Sequence, residues 1–205
     1  MKRDFRIRLA LALLLLATAR TASAHEPVTG EATAEPVFVF EAVGPEPQSS
    51  NIGVNGFFSV DPAQQGSTFQ AAVVMDIPGG LHVNSNRPGQ KFLIPTVVKV
   101  SAPKGFRVTP VTYPRANTRS FRFSDQPLSV YEGRAVFRFN VSVPAGHPLG
   151  VETVRVNVRF QSCNEEACFP PASRDLGLRI AIVDRNTPSN RVNTNLFGGG
   201  GRRRH

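Results

Sequence analysis

Three stretches of strict period-two alternation leave this chain little choice of architecture. Over residues 134–143, Ala135, Phe137, Phe139, Val141 and Val143 fall on one side, while Arg134, Arg138, Asn140 and Ser142 fall mostly on the other. Val154, Val156, Val158 and Phe160 alternate in the same way with Thr153, Arg155, Asn157 and Arg159, and Leu176, Leu178, Ile180 and Ile182 repeat the pattern. Successive side chains of a strand point to opposite faces, so these runs belong to sheets with one buried and one wetted face. Further strand candidates are residues 37–43, 57–60, 68–77, 96–102 and 106–112, and residues 44–55 form a break rich in Pro, Gly and Ser. No stretch has the spacing of an amphipathic helix. The expectation is an all-β single domain, an immunoglobulin-like antiparallel β-sandwich over residues 37–184.

The chain begins with a basic segment, an apolar run from Leu9 to Ala17, and Ala22-Ser23-Ala24. This is the pattern of a secretory signal peptide over residues 1–24, with a short flexible leader following over 25–36. An apolar core of about ten residues is shorter than the roughly 20 a membrane helix needs. Stable membrane insertion is therefore not expected, and the localisation is periplasmic or secreted.

The formal charge of +9 would suggest nucleic acid until it is placed along the chain. The first 24 residues hold five basic and one acidic side chain, residues 185–205 hold five basic and no acidic ones, and residues 25–184 balance 14 against 14. Nucleic-acid binding is excluded from the core by that neutrality. Residues 185–205 end in four glycines and three arginines before His205, a composition that reads as a disordered basic tail.

The chemistry is concentrated in the segment FQSCNEEACFPP from Phe160 to Pro171, where four residues separate Cys163 from Cys168. Asn164 to Ala167 suits a hairpin loop, and cysteines flanking such a turn face each other at Cα separations of about 4.5 to 5.5 Å, within disulfide range. Export places them in an oxidising compartment. A six-residue ring stabilises by only about 2 kcal/mol through loop entropy, so stability alone is a weak reason for the bridge. Structural and redox roles both remain open at this point. Glu165 and Glu166 inside the ring oppose thiolate formation, so neither sulfur is expected to be a strong free nucleophile.

The same segment, with GLHVNSNRP (Gly80 to Pro88), FLIPT (Phe92 to Thr96) and FSDQPLSVYEG (Phe123 to Gly133) before it, resembles the amino-terminal periplasmic domain of the thiol:disulfide interchange protein DsbD. The resemblance implies an immunoglobulin-like sandwich in which Cys163 and Cys168 are the redox pair. It also implies partners among the thiol-disulfide proteins of the cell envelope: a membrane-embedded electron donor and a periplasmic thioredoxin-like acceptor, such as an isomerase or a cytochrome c maturation factor. An aromatic cap loop shields the pair in that family, and Ser129, Val130 and Tyr131 are its expected counterpart, with Tyr131 as the cap. The loop between the cysteines is one residue shorter than in the best-known members. No membrane domain or thioredoxin-like domain accompanies it in the sequence.

Two other readings belong to different classes. A non-catalytic immunoglobulin-like binding module would carry an inert structural disulfide. A copper protein would use His25 at a processed amino-terminus together with His82 or His147. Zinc on the cysteines fits no common ligand spacing, and no hydrolase motif is present. No cofactor and no metal are expected.

Overall fold

The computed structural model describes residues 51–198. The signal segment 1–24, the leader 25–36, the candidate strand 37–43 and the last seven residues lie outside the described residues. Strands β1 (Gly53–Phe58), β4 (Thr68–Asp76), β10 (Arg134–Ser142) and β7 (Arg107–Val108) form one antiparallel sheet in the order β1-β4-β10-β7. Strands β3 (Ala63–Gln64), β13 (Ala172–Val183), β11 (Gly150–Phe160) and β6 (Val97–Ser101) form a second in the order β3-β13-β11-β6. The one departure from antiparallel pairing among these is β3, which runs parallel to β13.

The alternation read from the sequence is the alternation of the core. Ala135, Phe137, Phe139 and Val141 of β10 join Phe69, Ala71, Val73 and Met75 of β4 against Val154, Val156, Val158 and Phe160 of β11, in one buried cluster between the two sheets. Phe137 and Phe160 are fully buried, each stabilising by about 1.5–3 kcal/mol through lost apolar surface. The result is the expected β-sandwich. Its edges are drawn close where Gly56 of β1 meets β13: a Cβ there would stand 2.3 Å from Leu178 Cδ2.

A third sheet sits at one end of the sandwich. It contains β12 (Ser162–Cys163), β5 (His82–Asn84), β9 (Leu128–Tyr131) and β8 (Asn117–Arg119), in the order β12-β5-β9-β8. Its strands are only two to four residues long, too short to show a period in the sequence. The long strand β11 ends at Phe160, and one residue later the chain enters β12. The cysteines are thereby placed just beyond the sandwich.

Two sequence expectations need correction. The break expected over 44–55 ends early, since β1 already begins at Gly53. Residues 185–198, assigned to a disordered tail, are folded: β14 (Asn190–Arg191) pairs with β2 (Val60–Asp61), and a short helix α1 (Thr194–Phe197) follows. The polar side chains that composition counted against order find backbone partners instead. Ser189 Oγ donates to Pro62 O at 2.6 Å, Asn193 Nδ2 donates to Phe58 O at 2.9 Å, and Phe197 is buried.

Candidate functional site

Cys163 and Cys168 are joined by a disulfide, S–S 2.06 Å, with Cα atoms 3.9 Å apart. That is closer than the ordinary cross-strand separation expected from the sequence, because the intervening turn is tight. Asn164 N donates to Ala167 O at 3.0 Å, and the Asn164 side-chain oxygen accepts from the amides of Glu166 and Ala167 at 2.9 and 2.8 Å. Asparagine serves such turns because its side chain can mimic a backbone acceptor. Phe169 N then donates to Ser162 O at 2.9 Å, closing the hairpin.

The two sulfurs sit in different surroundings. Cys163 is fully buried, whereas Cys168 is only partly so. Cys168 packs on a small apolar cluster separate from the main core, made of Leu93, Phe121, Leu128 and Val130 with Phe123 at its edge. Phe121 and Phe123 lie nearly parallel, centroids 5.4 Å apart, in the segment between β8 and β9. These side chains make an apolar lid against the Cys168 side of the bridge. Next to Leu93, Phe92 projects into solvent with two thirds of its surface exposed.

The expected cap loop is split by the strand it lies on. Val130 belongs to the lid cluster. Tyr131, one residue on, points to the opposite face and is part of the main core, ring edge against Phe137 at 5.6 Å. Its hydroxyl donates to Asn86 Oδ1 at 2.8 Å, and burial raises its pKa. Ser129 Oγ is held by Ser85 Oγ at 2.8 Å. Tyr131 thus packs in the main core, while the aromatic side chains in the cluster that Cys168 joins are Phe121 and Phe123. Period two explains the difference: neighbours on a strand cannot both cap the same sulfur.

His82, which the copper alternative offered as a second ligand beside His25, lies next to the cysteine bridge. It is the register partner of Cys163, almost fully buried, and its ring stacks on Phe121 at 3.9 Å. Burial, which disfavours the charged form, lowers its pKa to about 4; Glu132 and Glu165 pull it upward and Arg119 adds to the depression. As a copper ligand it would need access it does not have. His147, the other candidate, is engaged elsewhere, with Nε2 2.8 Å from Glu152 Oε1 and its ring against Phe106. His25 lies outside the described residues. Neither His82 nor His147 belongs to a group of three metal-binding side chains among the described residues.

A polar hub missed entirely by the sequence reading supports the site from beneath. Gln161, the residue between β11 and β12, accepts from Asn84 Nδ2 at 3.0 Å and from Ile94 N at 3.1 Å, and donates to Phe169 O at 3.1 Å. One side chain thus ties β5, the segment carrying Leu93 and the residue after Cys168. Arg119 clasps the outside, with its guanidinium 2.8 Å from Glu132 and 3.7 Å from Glu165 of the disulfide ring. No helix among the described residues is long and apolar enough to cross a membrane.

Residues 54–179 match the family model described as thiol:disulfide interchange protein DsbD, N-terminal. No curated protein matches the sequence significantly. Among solved structures, the DsbD n-terminal domain of Neisseria meningitidis in its reduced form is similar at 14% identity and a TM-score of 0.43, covering 72% of this chain and 94% of that one. The N-terminal periplasmic domain of ScsB from Proteus mirabilis is similar at 11% identity and a TM-score of 0.42, covering 62% of this chain and 47% of that one. The family match spans the alternating strands, the lid and the cysteine hairpin together, and on that match the chain belongs to the family of N-terminal domains of the thiol:disulfide interchange protein DsbD.

Proposed function

We infer that this domain relays electrons between thiol-disulfide proteins of the periplasm through the Cys163–Cys168 bridge. The observation that carries the reading is the asymmetry of the pair: Cys168 is partly exposed beneath a lid of apolar side chains, and Cys163 is fully buried. A donor thiolate attacks Cys168 Sγ in line with the bridge. The new sulfur–sulfur bond joins donor and Cys168, the Cys163–Cys168 bond breaks, and its electron pair stays on Cys163. A second donor thiol resolves the mixed disulfide, leaving a dithiol here and a disulfide on the donor. The reverse sequence passes the two electrons to an acceptor disulfide.

This ordering agrees with the electrostatics. Reduction begins with a donor thiolate attacking the bridge, so that half of the relay does not require a free thiolate beside Glu165 and Glu166. The donor of this scheme is a membrane-embedded thiol protein and the acceptor a periplasmic thioredoxin-like protein. Phe92, exposed beside the lid, is suited to contact either of them.

The test is the reduction potential of the bridge, by equilibration with glutathione and trapping of thiols. A value in the range of exchange proteins, about −120 to −270 mV, supports the relay; one below about −300 mV makes the bridge structural and the domain a binding module.

A further inference from the structure

Among the described residues, three buried side-chain atoms lack a hydrogen-bond partner: His82 Nε2, Asn84 Oδ1 and Ser162 Oγ. All three lie on the adjacent strands β5 and β12, the pair that holds Cys163. Buried polar atoms are nearly always partnered, and one that is not calls for a reason. For His82 the reason lies across the strand. Directly opposed side chains of an antiparallel pair have Cβ atoms about 4.5–5.5 Å apart and share a face, and His82 opposes Cys163 in that way. The stack on Phe121 fixes the plane of the imidazole.

We propose that His82 is the hydrogen-bond donor that receives the Cys163 sulfur when the bridge opens. The proposal rests on the relay reading. When a donor thiolate bonds to Cys168, Cys163 leaves as a thiolate in a site from which water is excluded. Its negative charge then needs a fixed donor, since a buried charge without one is strongly disfavoured. The imidazole tautomer with hydrogen on Nε2 provides that donor, and no proton need be transferred in the step. Once the mixed disulfide is resolved, Cys163 takes up a proton released by the donor thiols and its neutral sulfur still accepts from Nε2; when the bridge re-forms, Nε2 is again without a partner.

Neutrality of the ring in the resting state fits this role, because a donor already ionised would be drawn to its neighbours. The charged groups facing it are Glu132 just after β9, Glu165 in the disulfide ring and Arg119 at the end of β8. Arg119 engages both carboxylates, which leaves His82 to the sulfur.

Two measurements test the proposal. In the wild-type protein labelled with nitrogen-15 at histidine, the Nε2 resonance is expected to move between the oxidised and reduced states. Stopped-flow reduction by dithiothreitol is expected to be about threefold to tenfold slower in H82F, which keeps a flat ring against Phe121, and partly restored in H82Q, which keeps a donor. An Nε2 resonance unchanged on reduction, or a folded H82F reduced at the wild-type rate, overturns the proposal and leaves the relay standing. A wild-type bridge that resists dithiothreitol overturns the relay reading and this proposal with it.

Discussion

Arg119 and Glu165 stand 3.7 Å apart across the gap between the end of β8 and the disulfide ring, and the same guanidinium holds Glu132 at 2.8 Å. The contact joins the segment leading into Phe121 to the turn between the cysteines. Exposed ion pairs contribute about 0–1 kcal/mol and weaken with salt. Arg119→Ala is therefore expected to loosen the lid slightly, speeding reduction by dithiothreitol no more than about fivefold at low salt, with the difference shrinking as salt is added. Rates measured across a salt series check it.

The lid assignment separates three aromatics that lie close in sequence. Phe123 is at the edge of the cluster on Cys168, so Phe123→Ala is expected to raise the reduction rate by dithiothreitol several-fold with little change in melting temperature. Tyr131→Phe removes only the hydroxyl bonded to Asn86. It is expected to cost about 1 kcal/mol of stability and leave the reduction rate unchanged. An accelerated rate in Tyr131→Phe would mean that the Tyr131–Asn86 bond helps to shield the bridge.

The sandwich was legible because its strands are long. Residues 134–143 and the run ending at Phe160 alternate for enough turns of the pleat to declare a buried face, and those same side chains form the core. The cysteine bridge was legible from spacing. The sheet that holds the site was not, because β5, β8, β9 and β12 are too short for a period; only the family resemblance marked His82 to Asn84 and Leu128 to Tyr131 as important. Gln161 was invisible for another reason. A glutamine after an alternating strand looks like any solvated residue, and its value lies in three partners distant in sequence or across a turn.

Gln161→Ala would leave Ile94 N and Phe169 O without their present side-chain partner and would remove one of the two acceptors of Asn84 Nδ2. Buried groups stripped of partners cost about 1–3 kcal/mol each, less where water enters. The variant is expected to lose about 2–3 kcal/mol in urea unfolding. Because the segments packed around both cysteines are held by that one side chain, the reduced form should also show faster amide exchange at Ile94 and Phe169.

Composition was a poor guide after Asp184, since order there comes from hydrogen bonds with residues 58–64, made by side chains and backbone of both segments. Gln64 Nε2 donates to Arg185 O and Thr187 O, and Val192 N donates to Ser59 O. Phe197→Ala is expected to cost about 3 kcal/mol, and limited proteolysis should leave the stretch between 185 and 198 uncut while the domain is folded. Early cleavage near Asp184 would restore the view of this stretch as a loose tail.

The depressed pKa of His82 has a signed consequence for stability. A histidine held neutral in the fold near pH 4 but titrating near 6.5 in the unfolded chain makes the unfolded state bind more protons between those values. Its contribution is complete above about pH 6.5 and is lost as pH falls toward 4, by about 2 kcal/mol at pH 5 and about 3 kcal/mol at pH 4. Carboxylates titrate at the lower end of that window as well, so the diagnostic quantity is the difference between wild type and H82F, which has no imidazole to protonate. Urea unfolding at pH 7, 5 and 4 should show the wild type losing stability more steeply than the variant. Parallel curves for the two proteins would mean that His82 accepts a proton in the fold as easily as outside it, and that the site beside Cys163 is wetter than its burial indicates.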